Sequence, residues 1–312
     1  MATDKTGQTV RIPNVIKFTF GGLAGMSATM FVQPLDLIKN RMQMSGLTGK
    51  KEYRSSFHAF RSIVAKEGIF AIYNGLSAGL LRQATYTTTR LGVYTWLFEK
   101  FSSKEGSITF ALKATLGLSA GAVASFVGTP AEVALIRMCT DGRLPPDQRR
   151  NYKSVLDALV RIIREESVTT LWRGCGPTVA RAMVVNAAQL ATYSQAKEAI
   201  LKTSYVDDGV FCHFLASMVS GLTTTMASMP VDIAKTRIQN MRIIDGKPEY
   251  RGAFDVLQKI IRNEGLFALW KGFTPYYFRI GPHTVLTFIF LEQMNAFYFR
   301  KVYGLKNARG TI

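Results

Sequence analysis

The chain has 312 residues, 47% of them hydrophobic and only 19% charged, which is below the ~25% of charged residues that soluble domains usually have. Its mean hydropathy of +0.09 is high for a soluble protein but low for a bundle of uniformly apolar spans, and suits a membrane protein with a polar interior. The net charge of +18 is compatible with binding to nucleic acid, to an anionic membrane surface or to small anions, or with a role in solubility alone. The basic residues recur between apolar segments rather than in one long run, which suits a membrane protein that contacts anionic lipid. This distribution argues against a disordered nucleic-acid-binding arm.

The N-terminal segment 1–13 is short and polar. It lacks the apolar stretch of a secretory signal and the arginine-rich pattern of a transit peptide, so any organelle address must be internal. The three cysteines, Cys139, Cys175 and Cys212, lie far apart without metal-ligand spacing. We interpret them as small apolar residues.

Three apolar segments without Asp, Glu, Lys or Arg follow in the chain: 18–35, 114–131 and 210–231. A helix of about 20 residues crosses the hydrocarbon core of a bilayer, so each segment is long enough to be a span. A small-xxx-small spacing, which begins with Gly21 and Gly25 in the first segment, recurs in all three. This spacing predicts close packing between helix backbones.

Each of these segments ends in a proline that is followed by charged residues. Gln33–Arg41 returns as Thr129–Arg137 and again as Met229–Arg237. Proline kinks a helix, and three charged ends that point at one axis could join through salt bridges and close a pore on one side. The alternative is local i,i+3 pairing at exposed helix ends, worth only ~0.2–0.5 kcal/mol. In the second motif copy Leu135 occupies the position that Lys39 and Lys235 hold in the other two, so the predicted ring has two ion pairs rather than three. The predicted gate consists of Pro34, Asp36, Lys39, Gln43, Pro130, Glu132, Pro230, Asp232, Lys235 and Gln239.

A polar stretch with an amphipathic piece follows the first proline motif. Within Ser55–Lys66, the apolar residues Phe57, Phe60, Ile63 and Val64 have the spacing of one helix face. We therefore expect a short helix that lies along the membrane surface.

A second apolar segment in each unit begins at Gly75, Gly174 or Gly272, which are 99 and 98 residues apart. Tyr53, Tyr152 and Tyr250 keep the same spacing, so several markers repeat in phase. Two spans per unit return the chain to its starting side. The prediction is an all-α membrane protein, a single domain over 1–312, in which three two-helix repeats form a six-span pseudo-threefold bundle with short surface helices. The repeats, here called units one, two and three, cover approximately 14–107, 108–205 and 206–302.

Arginines lie seven residues after each of these glycines, at Arg82, Arg181 and Arg279. An arginine at that depth in a span is costly and is therefore a functional-site hypothesis. Three arginines at one depth could converge on a small anion, since a guanidinium binds a carboxylate through two hydrogen bonds. The alternative is that each side chain reaches back to the membrane interface.

Arg90 has no counterpart in the other units and could orient an asymmetric substrate. Four cationic groups suit a doubly charged acid better than a sugar, an amino acid or a metal ion. Candidate hydrogen-bonding residues near the arginines are Tyr86, Thr89, Asn186 and Gln189. No metal-ligand spacing, nucleophile–base pair or phosphate-binding loop is present in the sequence, so we expect neither an enzyme nor a cofactor.

The motif Pro-x-Asp/Glu-x-x-Lys/Arg-x-Lys/Arg, present in three copies of which the second lacks its first base, resembles the signature of the mitochondrial carrier family. The resemblance implies six tilted helices in the mitochondrial inner membrane, with surface helices on the matrix side and both termini toward the intermembrane space. It also implies strict exchange by alternating access, a functional monomer, cardiolipin binding at the surface helices, and no nucleic acid as partner. Arg82, Arg181 and Arg279 match the family's substrate-contact positions.

Four stretches, 75–95, 129–138, 141–150 and 281–295, look like the family members that exchange 2-oxoglutarate for malate, and the missing base at position 135 is similar too. The implied function is therefore exchange of these or related dicarboxylates. Other carrier specificities, such as malate/phosphate or tricarboxylate exchange, remain alternatives. A soluble helical repeat scaffold and a basic nucleic-acid-binding protein are alternatives of other classes.

The resemblance also implies specific ion pairs. On the matrix side Lys39 would pair with Asp232 and Lys235 with Glu132, which leaves Asp36 without its usual partner. On the cytoplasmic side the gate positions are less regular, and Lys197 with Glu292 is the one obvious pair that the sequence offers there.

Overall fold

The computed structural model describes residues 2–3, 9–10, 14–45, 52–102, 110–202, 210–241, 243–244 and 247–303. These residues contain nine α-helices: α1 (Asn14–Met44), α2 (Ser56–Glu67), α3 (Leu76–Ser102), α4 (Phe110–Asp141), α5 (Val155–Glu165), α6 (Cys175–Lys202), α7 (Val210–Gln239), α8 (Ala253–Glu264) and α9 (Phe273–Tyr303). Two antiparallel ladders pair β1 (Ala2–Thr3) with β2 (Thr9–Val10) and β3 (Ile243–Ile244) with β4 (Lys247–Pro248). Apart from these ladders, the predicted all-α class is confirmed in the described residues.

The six long helices pack side by side in chain order and close into a ring, α1–α3–α4–α6–α7–α9–α1. Each unit contributes two of them, joined by a short helix and a 3₁₀ turn. These turns are Ile69–Tyr73, Val168–Trp172 and Leu266–Trp270. The ring places one face of each long helix toward a shared centre, where polar side chains from different units can meet.

The three motif prolines lie inside α1, α4 and α7, which continue past them to Met44, Asp141 and Gln239. The helices continue because these residues are buried against the short helices of their own unit. In unit one Leu37 packs in one cluster with Ile63, and in unit three Ile233 packs with Ile260. The apolar core therefore lies at the proline end of the bundle.

The short helix α2 begins where Ser55 caps it, since the Ser55 side chain accepts a hydrogen bond from the His58 N–H. Ala59 and Ile63 are buried, but Phe57 is 73% exposed. The spacing predicts one apolar face for these residues, but the structure buries Ile63 and leaves Phe57 exposed. The helix turns Ile63 toward α1 and leaves Phe57 on its outer side.

Close backbone packing at the small-residue spacing is not confirmed in unit one, where nothing lies within 4 Å of a Cβ at Gly21 and a Cβ at Gly25 would meet only the Gln83 side chain. A Cβ at Gly25 would lie 2.5 Å from Gln83 Nε2, whereas nothing lies within 4 Å of a Cβ at Gly117, Gly121 or Gly221. The prediction for units two and three is wrong, because these glycines face open space rather than a neighbouring helix.

Among the described helices, one stretch has both the length and the apolar composition needed to cross a membrane. It is Thr115–Asp141, with a mean hydropathy of 1.4. The other long helices carry more polar residues along their length.

Candidate functional site

The arginines of the three units meet at the centre of the ring. Arg82 from α3, Arg181 from α6 and Arg279 from α9 line one cavity of about 50 Å³. Each arginine lies seven residues, about two turns, after the glycine that precedes its helix, and the ring of helices brings all three to this cavity. Their role as substrate ligands stays a prediction.

Two buried ion pairs close the bundle beside this cavity. Lys39 Nζ lies 3.0 Å from Asp232 Oδ2, and Lys235 Nζ lies 2.6 Å from Glu132 Oε1. These are the two pairings expected from the resemblance, and both are confirmed. They connect α1 to α7 and α7 to α4, and Leu135, which occupies the position of the missing base, lines the same cavity.

Asp36 has a partner that sequence reasoning missed. Its Oδ1 lies 2.9 Å from Arg279 Nε. Asp232, which pairs with Lys39, also forms an ion pair with Arg181. Two of the three site arginines thus neutralise gate carboxylates, so the predicted site and the predicted gate are one electrostatic network.

Tyr276 of α9 is a second residue that sequence reasoning missed. Its hydroxyl accepts a hydrogen bond of 2.7 Å from Arg181 Nη2, and Lys39 Nζ lies 4.0 Å from the centre of its ring. A cation over an aromatic face is attracted to it. Tyr276 therefore holds one site arginine and one gate lysine together.

Gln43 and Gln239, the predicted gate glutamines that lie nine residues after their prolines at what are here called the brace positions, are fully buried next to the ion pairs. Gln239 Nε2 lies 3.4 Å from Glu132 Oε2, and the Thr236 hydroxyl donates to Gln43 Oε1 over 2.7 Å. In unit two Cys139 takes the equivalent position, where its thiol lies 3.4 Å from the Asn74 carbonyl oxygen.

A second set of three arginines lies two residues beyond the positions of the first motif bases. These arginines are the last base of each motif copy, and each forms an ion pair with the glutamate at the end of its unit's short helix. The pairs are Arg41–Glu67, Arg137–Glu166 and Arg237–Glu264. The repeated motif shows these bases, but nothing in the pattern shows that they are buried.

Each of these arginines also reaches the next unit. The Nε groups donate to backbone carbonyls at the brace positions: Arg41 to Cys139, Arg137 to Gln239 and Arg237 to Gln43, over 2.9, 3.4 and 3.3 Å. Burial raises the pKa of the Glu166 carboxyl group, but the hydrogen bond and positive charge of Arg137 outweigh it, so that this pKa is below its ordinary value. Glu166 therefore stays ionised and fixes Arg137, which joins unit two to unit three.

A larger chamber of about 200 Å³ adjoins the first, and Arg82 and Arg181 line both. Tyr86 and Arg90 line this larger chamber. Arg82 Nε is buried and has no hydrogen-bond partner among the described residues. A buried guanidinium N–H without a partner is costly, and it marks a place where an anion would be stabilised.

The remaining predicted residues are less informative. Thr89 is half-buried and Gln189 is exposed, and neither lines these two chambers. The side chain of Asn186 lies outside the described residues. Lys197 lies on α6 and Glu292 on α9, both half-buried, and their ion pair stays a prediction.

Comparison with known proteins gives one family. The sequence model of that family, described as mitochondrial carrier protein, matches residues 11–105, 106–204 and 207–302. Three similar proteins are each called mitochondrial 2-oxoglutarate/malate carrier protein. The one from Caenorhabditis elegans is 72% identical over 93% of this chain and 95% of its own length, the one from Homo sapiens 69% over 92% of each, and the one from Bos taurus 66% over 96% of each.

Proposed function

We propose that this chain, which belongs to the mitochondrial carrier family, exchanges 2-oxoglutarate for malate or a related dicarboxylate across the mitochondrial inner membrane. Membership of a family of carrier proteins confirms the prediction of a transporter rather than an enzyme. The observation that carries the proposal is the shared cavity of Arg82, Arg181 and Arg279. Its cationic lining suits two carboxylates on one small molecule.

In this proposal the six long helices are six membrane spans, and α2, α5 and α8 lie at the matrix surface. Large apolar side chains on the outside of every long helix support this arrangement, since soluble proteins rarely expose so much apolar surface. Examples, one from each long helix, are Phe31, Trp96, Phe126, Met183, Met226 and Phe278, all more than half exposed.

Alternating access follows from the network between site and gate. The structure has the ion pairs at the proline ends formed, so it represents the form closed on that side. A dicarboxylate that binds the arginines competes with Asp36 and Asp232 for them, and its binding energy offsets the separation of the ion pairs. Without substrate the buried charges would separate uncompensated, which is costly and enforces exchange.

The partners follow from the same arrangement. One chain supplies all three arginines, so a monomer suffices for transport. The basic surface suits anionic lipid such as cardiolipin near the surface helices. The mechanism requires no cofactor and involves no nucleic acid.

Substitution of Arg82 or Arg279 by alanine tests the site. Either variant should abolish uptake of labelled 2-oxoglutarate into malate-loaded liposomes, because the carboxylates lose a guanidinium that no other group replaces. Arg262→Ala is the matched control, since Arg262 is exposed on α8 and should be dispensable. Thermal unfolding in detergent verifies that each variant is folded. Undiminished exchange by Arg82→Ala would refute the proposed site.

Competition by unlabelled anions separates the proposed specificity from the alternatives. Malate should compete with labelled 2-oxoglutarate, while phosphate and citrate should not. Competition by phosphate or citrate at similar concentrations would instead favour a malate/phosphate or tricarboxylate exchanger.

A further inference from the structure

His283 lies on α9 four residues beyond Arg279, one helical turn along the same face. The charged groups that act on its ring are Arg279, Asp36 and Arg82. All three line the central cavity. The ring is therefore within electrostatic range of the proposed substrate site, although it lines neither of the two described chambers and belongs to neither the ion pairs nor the arginine set.

The His283 Nε2 atom is buried and has no hydrogen-bond partner among the described residues. Buried polar atoms in folded proteins nearly always have a partner, and leaving one unsatisfied is costly. Because this nitrogen lies one helical turn beyond Arg279, which lines the central cavity, it is available to a ligand that binds there.

The repeat positions that match His283 support this placement. Tyr86 and Val185 lie four residues beyond Arg82 and Arg181, and both line the larger chamber. The three units thus present a tyrosine, a valine and a histidine at one level. A position that differs in every unit can distinguish the two ends of a substrate, as the identical arginines cannot.

We propose that His283 donates a hydrogen bond from Nε2 to the oxygen on carbon 2 of the transported dicarboxylate, and so determines specificity. The inference rests on the proposed function. The keto oxygen of 2-oxoglutarate can only accept a hydrogen bond, and the hydroxyl of malate can also accept one, so a single N–H donor serves both. The arginines bind the carboxylates, which leaves this oxygen for another residue. Glutarate and succinate have the same carbon chains but lack the oxygen.

The test compares these four acids on His283→Phe, which keeps a ring but removes the donor. Inhibition constants are measured against uptake of labelled malate into reconstituted liposomes. We expect His283→Phe to weaken 2-oxoglutarate and malate about tenfold, and to leave glutarate and succinate unchanged. His283→Gln, whose amide nitrogen can reach the position of Nε2, should restore most of the difference. His58→Phe, a change of an exposed histidine on α2, is the matched control.

An equal loss for all four acids, or no loss for any, would overturn the inference. Should His283→Phe fail to fold, His283→Asn replaces it, because its shorter amide does not reach the Nε2 position. Failure of the wild-type protein to exchange any of these acids would instead refute the proposed function, so the two failures are distinguishable.

Discussion

Asp232 has more ion-pair partners in the proposed gate than Asp36, although the motif gives them equivalent positions. Asp232 is buried between two cations, Lys39 and Arg181, whereas Asp36 faces Arg279. Removing one partner from a buried ion pair leaves an uncompensated charge, and the free-energy cost grows with the number of charges left behind. The absence of a base at position 135 is the cause of this asymmetry, since Leu135 cannot pair with Asp36.

Asparagine substitutions at the two positions measure this difference. Asp232→Asn should lower the free energy of unfolding by about 3–5 kcal/mol, the range for a broken buried pair, and Asp36→Asn by clearly less. Thermal unfolding of the purified variants in the same detergent is the measurement. Equal destabilisation, or a larger effect at Asp36, would contradict the assignment of two cations to Asp232.

The second long helix of each unit, α3, α6 or α9, begins directly after a glycine on which its start depends. Gly174 links the turn Val168–Trp172 to α6 with φ at +84°, a left-handed conformation that favours glycine. A Cβ there would lie 2.7 Å from Gln239 Cγ of the next unit. Gly75 and Gly272 have the same left-handed conformation. They contact the first long helix of the next unit, which is α4 for Gly75 and α1 for Gly272. The glycines thus set both the direction of the chain and the contact between units.

Gly174→Ala should therefore destabilise the protein by about 1–3 kcal/mol, the usual cost of a non-glycine residue in a strained backbone conformation. Gly176→Ala is the matched control, because Gly176 lies within α6 and nothing lies within 4 Å of its added Cβ. Its stability should be unchanged or slightly higher, since alanine favours helix. A control variant as unstable as Gly174→Ala would argue against the junction as the cause.

The whole bundle is closed at its proline end by contacts that all run between units. The ion pairs join α1 to α7 and α7 to α4, and the buried arginines Arg41, Arg137 and Arg237 join each unit to the next. Opening this end must separate these contacts together. A conformational equilibrium of this kind shifts only as far as the ligand's difference in affinity for the two forms allows.

Because these contacts between units must separate together, we expect the protein to carry out strict exchange. Liposomes that contain the protein should take up labelled 2-oxoglutarate only when loaded with malate or 2-oxoglutarate, and not when loaded with chloride at equal ionic strength. The return step of the empty carrier would require the separation of buried charges without compensation. Equal initial uptake into both kinds of liposome would show that the empty form reorients freely, contrary to this mechanism.

Much of the site could be predicted from the sequence because symmetry repeats it. Motifs in three copies identified the arginines, and the resemblance to the carrier family implied the pairs Lys39–Asp232 and Lys235–Glu132. The pair Arg279–Asp36 and the contact of Tyr276 with Arg181 could not be predicted. They join residues far apart in the chain, and no pattern within one unit encodes them.

The sequence by itself determined the three units, the helices and the charge that each unit contributes, because hydropathy, proline and glycine act over a few neighbouring residues. Only the tertiary structure decided which charges meet, which face of α2 is buried, and that two arginines of the proposed site form ion pairs with carboxylates of the proposed gate. Electrostatic and hydrogen-bond energies depend on distances between atoms of different units, and those distances exist only once the ring of helices has closed.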